Sequence, residues 1–179
     1  MTSFVPDALV FMGVAGCGKS TLGEAVACRT GRDWLEGDDF HSESNRRKMA
    51  DGQPLTDEDR ASWLAALSAQ LVQRPGLFAA CSALKLAYRD QLRQASPGLR
   101  FVFLDIEPAE ATRRVSVRRG HFFRASLIDS QFATLQTPVG EAGVLRVDAT
   151  LPLDDLVEQV ADWLRVPEAA SAAAIDAAR

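Results

Sequence analysis

Lysine is scarce in this chain. Of its 20 basic residues only Lys19, Lys48 and Lys85 are lysine, and arginine supplies the rest. Cysteine is equally sparse. Cys17, Cys28 and Cys81 show no metal-binding spacing, and an odd count does not suit a disulfide framework, so reduced thiols in a cytoplasmic protein are expected. No apolar run approaches the roughly 20 residues that span a membrane. The first residues, MTSFVPDALVFMGVAG, lack a basic n-region and carry Asp7, so they do not read as a signal peptide and no membrane partner is expected. Positive charge is not in excess either: 24 acids against 20 bases leave a net charge of −4. That argues against nucleic acid as a partner, which needs a basic stripe to displace counterions, but leaves room for a local basic pocket. The tetrapeptide Asn-Lys-x-Asp is absent, which removes a guanine-reading GTPase.

What is present is ordinary globular composition, 47% apolar and 25% charged, in 179 residues. That length suits one domain with a full core, expected over residues 1–166, followed by a small alanine-rich tail at 167–179 that has little to bury. ALVFMG is a short apolar run ended by glycine, as a buried parallel strand would be. KSTLGEAVACRT follows with helical spacing (Leu22, Val26, Cys28, Arg29) and stops at Gly31. DWLEGDD reads as a second strand delivering its acids at its C-terminal end. Thr56 with Asp59 forms a capping-box pattern opening a helix whose stripe is Trp63, Leu64, Leu67 and Leu71. LFAACSA, RFVFLDI and GVLRVDA are three further strands. LKLAYRDQLRQA, EPAEATRRVSVRR and PLDDLVEQVADWLRV are the helices that follow them. This alternation predicts an α/β fold with a parallel sheet between helical layers.

GVAGCGKS, Gly13 to Ser20, fits G-x-x-x-x-G-K-[ST] between a buried strand and a helix. Glycines there let backbone N–H groups turn inward around phosphates, and the helix N-terminus adds positive dipole. Lys19 is expected to reach the β- and γ-phosphates, and Ser20 to ligate Mg²⁺. Cys17 sits where Lys19 and a helix N-terminus can lower a thiol pKa; the plainer reading is that only its backbone N–H matters. The third strand ends in Cys81-Ser82 rather than in an aspartate, which suits a small-molecule kinase better than an ATPase. Asp105, ending FVFLD, is a weaker metal candidate.

The stretch EGDDFHSESNRRKMADGQPL then has to hold whatever accepts the phosphate. An acceptor hydroxyl must lie in line with the γ-phosphorus, and a carboxylate accepts its proton. In doubly wound sheets ligands gather beyond the carboxyl ends of the strands, where Asp38 and Asp39 fall. Asp38 is the expected base, with Asp39 next. His41 can bond a polyol hydroxyl or be merely solvated. Asn45, Arg46, Arg47 and Lys48 are donors for a small carboxylate, or one charged helix face.

GDDFHSESNRRKMADGQPLTDEDRASWL resembles the substrate segment of the gluconokinase family, and CSALKLAYRD, RRGHFF and SQFATLQTP agree with it, so that the likeness runs from about Val10 to Val160. The family phosphorylates the 6-hydroxyl of D-gluconate with ATP and Mg²⁺. Its fold resembles shikimate and nucleoside-monophosphate kinases: a three-layer P-loop kinase fold with a five-stranded parallel sheet in order 2-3-1-4-5, a mobile lid (here about 118–130), and commonly a homodimer. The resemblance therefore implies that Gly13, Val14, Ala15, Gly16, Cys17, Gly18, Lys19, Ser20 and Thr21 meet ATP. It places Asp38, His41 and Arg60 at the acceptor. A shikimate-type or other sugar-acid kinase is the alternative, since an acidic polyol needs similar groups.

Two more motifs have physical readings. CSALK leaves the third strand beside the phosphate loop, so Ser82 can donate to substrate while Lys85 and Arg89 supply charge. RRGHFFRAS interrupts a helix at Gly120 with bases on both sides, as a lid carrying arginine onto the transferring phosphate would. Arg118 and Arg119 are the candidates, Arg124 less so, with His121 on the substrate side. All three lysines fall within these motifs, and a site that needs a compact ammonium does not readily accept arginine.

Overall fold

Strand β1, Leu9–Met12, is buried along its whole length, and alternate side chains feed two separate apolar layers. Leu9 and Phe11 join Leu22, Val26, Leu156 and Val160 on one side; Val10 and Met12 join Trp63, Leu64, Leu67 and Leu92 on the other. The computed structural model describes residues 8–117 and 126–165. The helices are α1 (Lys19–Thr30), α2 (Glu43–Ala50), α3 (Asp57–Gln73), α4 (Leu86–Ala95), α5 (Pro108–Val117), α6 (Ser126–Thr134) and α7 (Leu153–Arg165). The remaining strands are β2 (Trp34–Glu36), β3 (Phe78–Ala80), β4 (Arg100–Asp105) and β5 (Val144–Asp148). All pair in parallel in the order β2-β3-β1-β4-β5, with β1 between β3 (Leu9 opposite Phe78) and β4 (Leu9 opposite Arg100). The expected fold class and strand order hold.

Several local readings hold for the stated reasons. The Thr56 hydroxyl accepts the Asp59 N–H at 3.2 Å while Asp59 Oδ2 accepts the Thr56 N–H at 2.9 Å, so the capping box starts α3. Its stripe Trp63, Leu64, Leu67 and Leu71 is buried. In α1 the inner face is Leu22, Gly23, Val26 and Ala27; Cys28 and Arg29, expected on that stripe, are exposed.

Other elements differ from expectation. β2 ends at Glu36, and a 3₁₀ turn, Gly37–Phe40, carries Asp38 and Asp39 instead of the strand itself. Gly37 permits this, because a Cβ there would lie 2.0 Å from the Ala80 carbonyl oxygen of β3. α2 is a helix without an apolar stripe: its one buried residue is Asn45, and it begins because the Ser42 hydroxyl accepts the Asn45 N–H at 3.1 Å. α6 includes residues 126–130 of the expected lid. Residues 118–125, with Arg118, Arg119, His121 and Arg124, and the tail 167–179 lie outside the described residues.

Candidate active site

The phosphate loop turns between β1 and α1 through left-handed residues, Gly16 (φ +80) and Gly18 (φ +99), the latter at the N-cap of α1. Lys19 Nζ donates to the Val14 carbonyl at 3.0 Å, which holds the ammonium over the loop. Val14 and Cys17 point into the core. Burial pushes the Cys17 thiol up despite the opposing pull of Lys19, so this cysteine is a packing residue that contributes backbone to the loop. Cys81 is likewise pushed up to about 12, chiefly by burial.

A cleft of about 410 Å³ opens over this loop at the carboxyl end of the sheet. Lys19, Ser20 and Thr21 line it from α1, Glu36, Asp38, Asp39 and His41 from the end of β2, and Ser82 from the end of β3. Met49, Gln53, Leu55 and Arg60 form the far wall, and Leu127, Ser130 and Gln131 of α6 a further side. Lys19 and Asp38 thus share one crevice, as a transfer between a nucleotide and a second ligand requires.

Glu36 is the acid the sequence reading passed over. The Ser20 hydroxyl donates to its Oε2 at 2.5 Å. Burial raises the Glu36 carboxyl above the usual range, with Asp38 adding to the rise and the Ser20 hydrogen bond opposing it. A hydroxyl and a carboxylate side by side are hard oxygen donors of the kind Mg²⁺ takes alongside waters and phosphate oxygens, so the pair fits that ion.

The side of the cleft that carries Asp38 and His41 is built on Trp63. Its Nε1 donates to the Gly37 carbonyl at 2.7 Å, anchoring the 3₁₀ turn, and its ring stacks on His41 at 4.3 Å and 16°. His41 is 8% exposed, with Nε2 at 3.9 Å from Asp38 Oδ1. Burial lowers its pKa, Arg60 and Arg46 lower it further, and Asp38 opposes them, so the imidazole is neutral at pH 7. Nδ1 is enclosed without a partner. An orphaned acceptor is the lesser penalty, which favours the tautomer with its proton on Nε2, facing Asp38. Arg60 donates to the Leu55 carbonyl and sits 5.8 Å over the Tyr88 ring, with no carboxylate partner among the described residues.

Three expected substrate contacts are engaged elsewhere in the structure. Arg89 is fully buried. Its guanidinium donates to the carbonyls of Ala83 (2.8 Å), Leu84 (3.2 Å) and Gln136 (3.0 Å) and to the Glu141 carboxylate (2.5 Å), which leaves nothing for a ligand. Those bonds brace Ala83, which has φ +44 and is the only non-glycine residue with positive φ among those described. Lys48 pairs with Asp59 at 2.6 Å, holding that carboxyl down at about 2, and Lys85 pairs with Asp57 at 2.8 Å. Neither lysine lines the cleft. Asp105 is also occupied, by Arg146 of β5 at 2.5 Å. Arg46 and Arg47 bond within their own segment, to the Asp39 carbonyl (2.7 Å) and to Glu43.

A parallel five-stranded sheet, a Walker-type loop and a cleft pairing that loop with a carboxylate define a phosphate-loop kinase of the small-molecule type. The shikimate kinase family model matches residues 15–136. The gluconokinase of Gluconobacter oxydans is 43% identical over 87% of this chain and 89% of its own, and the thermoresistant gluconokinase of Escherichia coli 40% over 87% and 92%. The crystal structure of a gluconokinase from Sinorhizobium meliloti superposes with a TM-score of 0.83 at 44% identity, covering 90% of this chain and 93% of that one. The chain belongs to the gluconokinase family.

Proposed function

We propose that this kinase transfers the γ-phosphoryl group of ATP to the 6-hydroxyl of D-gluconate, forming 6-phospho-D-gluconate. The observation that supports the reading is one cleft lined by Lys19, Asp38 and Arg60, the last without a carboxylate partner among the described residues. Its gluconokinase relatives give the acceptor its name.

Asp38 takes the proton of the 6-hydroxyl as that oxygen attacks the γ-phosphorus; the bond to the bridging oxygen breaks and ADP leaves. Lys19 draws charge from the β- and γ-phosphates. His41, neutral, offers its Nε2 proton toward Asp38 and orients the carboxylate. Arg60 holds the sugar-acid carboxylate at the far wall, and Ser82 meets hydroxyls from the end of β3. The described wall carries Glu24, Glu36, Asp38 and Asp39 against Lys19 and Arg60, so a triphosphate needs further positive charge. Ser20 and Glu36 would hold Mg²⁺, which would supply neutralisation of the charge developed in transfer. Arg118 and Arg119 supply the remainder from the segment that follows α5, with His121 beside the substrate. Action in the cytoplasm and assembly as a homodimer belong to the same reading and rest on family resemblance.

The shikimate kinase family match favours a second acceptor, shikimate. ADP release measured across gluconate, shikimate and the epimers of gluconate separates them: turnover is expected with gluconate, and turnover with shikimate alone would overturn the assignment.

A further inference from the structure

One side chain in the cleft has no part in that mechanism. Gln131 of α6 accepts the Ala15 N–H of the phosphate loop on its Oε1 at 2.6 Å, across 116 positions of sequence. A backbone N–H only donates, so the carbonyl end of the amide must face Ala15 and the NH₂ end must point away. Among the described residues that nitrogen has no hydrogen-bond partner, it is not an enclosed atom, and it belongs to a side chain that lines the cleft.

We propose that Gln131 is a further catalytic residue: with its carbonyl oxygen fixed on the phosphate loop, its free amide group donates to the phosphoryl group in transit between nucleotide and acceptor. This rests on the phosphoryl-transfer reading above. Three features favour the role. Charge in transfer spreads over the equatorial oxygens of the phosphoryl group, where a donor held in advance acts without reorganising. Ala15 holds the amide in advance. The amide NH₂ also carries two donors, so its second N–H remains for a neighbouring oxygen. The competing role is purely architectural: Gln131 shapes the loop through Ala15 and touches no phosphate.

Two substitutions separate these. Gln131→Met keeps the length and removes acceptor and donor; Gln131→Glu keeps an acceptor for Ala15 and removes the donor. Both are expected to lower kcat by about 100-fold, the loss typical of removing one preorganised donor. ADP, which lacks the transferred group, is expected to bind Gln131→Met within about twofold of wild type, because its phosphates are held by the rest of the loop. Wild-type turnover by Gln131→Glu, or an ADP affinity that falls in step with kcat in Gln131→Met, assigns the architectural role and overturns the proposal. An unchanged kcat in Gln131→Met overturns it as well. The wild-type protein run in parallel tests gluconate separately: if it phosphorylates no gluconate, the acceptor assignment fails, and the Gln131 comparison is read on ATP hydrolysis.

Discussion

Ser20 and Glu36 are joined by a 2.5 Å hydrogen bond that ties the first turn of α1 to the end of β2. The bond puts the proposed metal hydroxyl and a carboxylate within reach of one ion, and it carries a pH signature. Burial raises the folded pKa of Glu36, so the folded protein holds this proton more tightly than the unfolded chain does. Stability from that group is full below the unfolded pKa and is lost as pH rises through the raised one. Ionising this carboxylate, as a metal ligand requires, therefore costs stability. Glu36→Gln is expected to melt no lower than wild type at pH 7 while needing about tenfold more Mg²⁺ for half-maximal turnover, the usual scale of a supporting ligand. In wild type the Mg²⁺ requirement is expected to climb as pH falls through a range above that of ordinary carboxylates. A magnesium titration of activity at several pH values checks both, and a flat requirement removes Glu36 from the site.

Arg60 is the cation of the far wall without an acidic partner among the described residues. A charge-assisted bond to a substrate carboxylate contributes about 1.5–3 kcal/mol, or roughly 10- to 100-fold in affinity. Arg60→Leu is expected to raise the KM for gluconate by that factor with the KM for ATP little changed. Initial rates with each substrate varied in turn make the distinction, and a rise shared by both substrates would place Arg60 outside the acceptor pocket.

Arg89 predicts the opposite pattern. Its guanidinium is enclosed and paired with Glu141, which burial pushes up but Arg89 and Arg93 together hold below the usual range. Removing one partner of a buried pair costs about 3–5 kcal/mol. Arg89→Met is expected to lose that much in urea unfolding while the fraction that stays folded keeps its KM for gluconate. A selective loss of gluconate affinity without loss of stability would return Arg89 to the substrate site.

These three residues also mark where the chain could be read in advance. β1, the phosphate loop and α1 are contiguous, and so is the box formed by Thr56 and Asp59; local physics decides them. The ion pairs of Lys48 and Lys85 were not legible, because their partners Asp59 and Asp57 stand 11 and 28 positions away and meet them only on folding. Glu36 left a faint signal, an acid ending a strand just before the quoted pair Asp38 and Asp39, but its link to Ser20 is tertiary. α2 escaped because no apolar stripe defines it, and the Ser42 cap was its single local mark. Gln131 had none, since its meaning lies in a bond to Ala15 across the fold.

Trp63 belongs to two worlds at once. Its ring fills the apolar layer under α3 and props His41, and its indole N–H fastens the turn that bears Asp38. A change made there to repack the interior is transmitted directly to Asp38, the proposed base, so selection for a sturdier protein and selection for a faster one meet at the same indole.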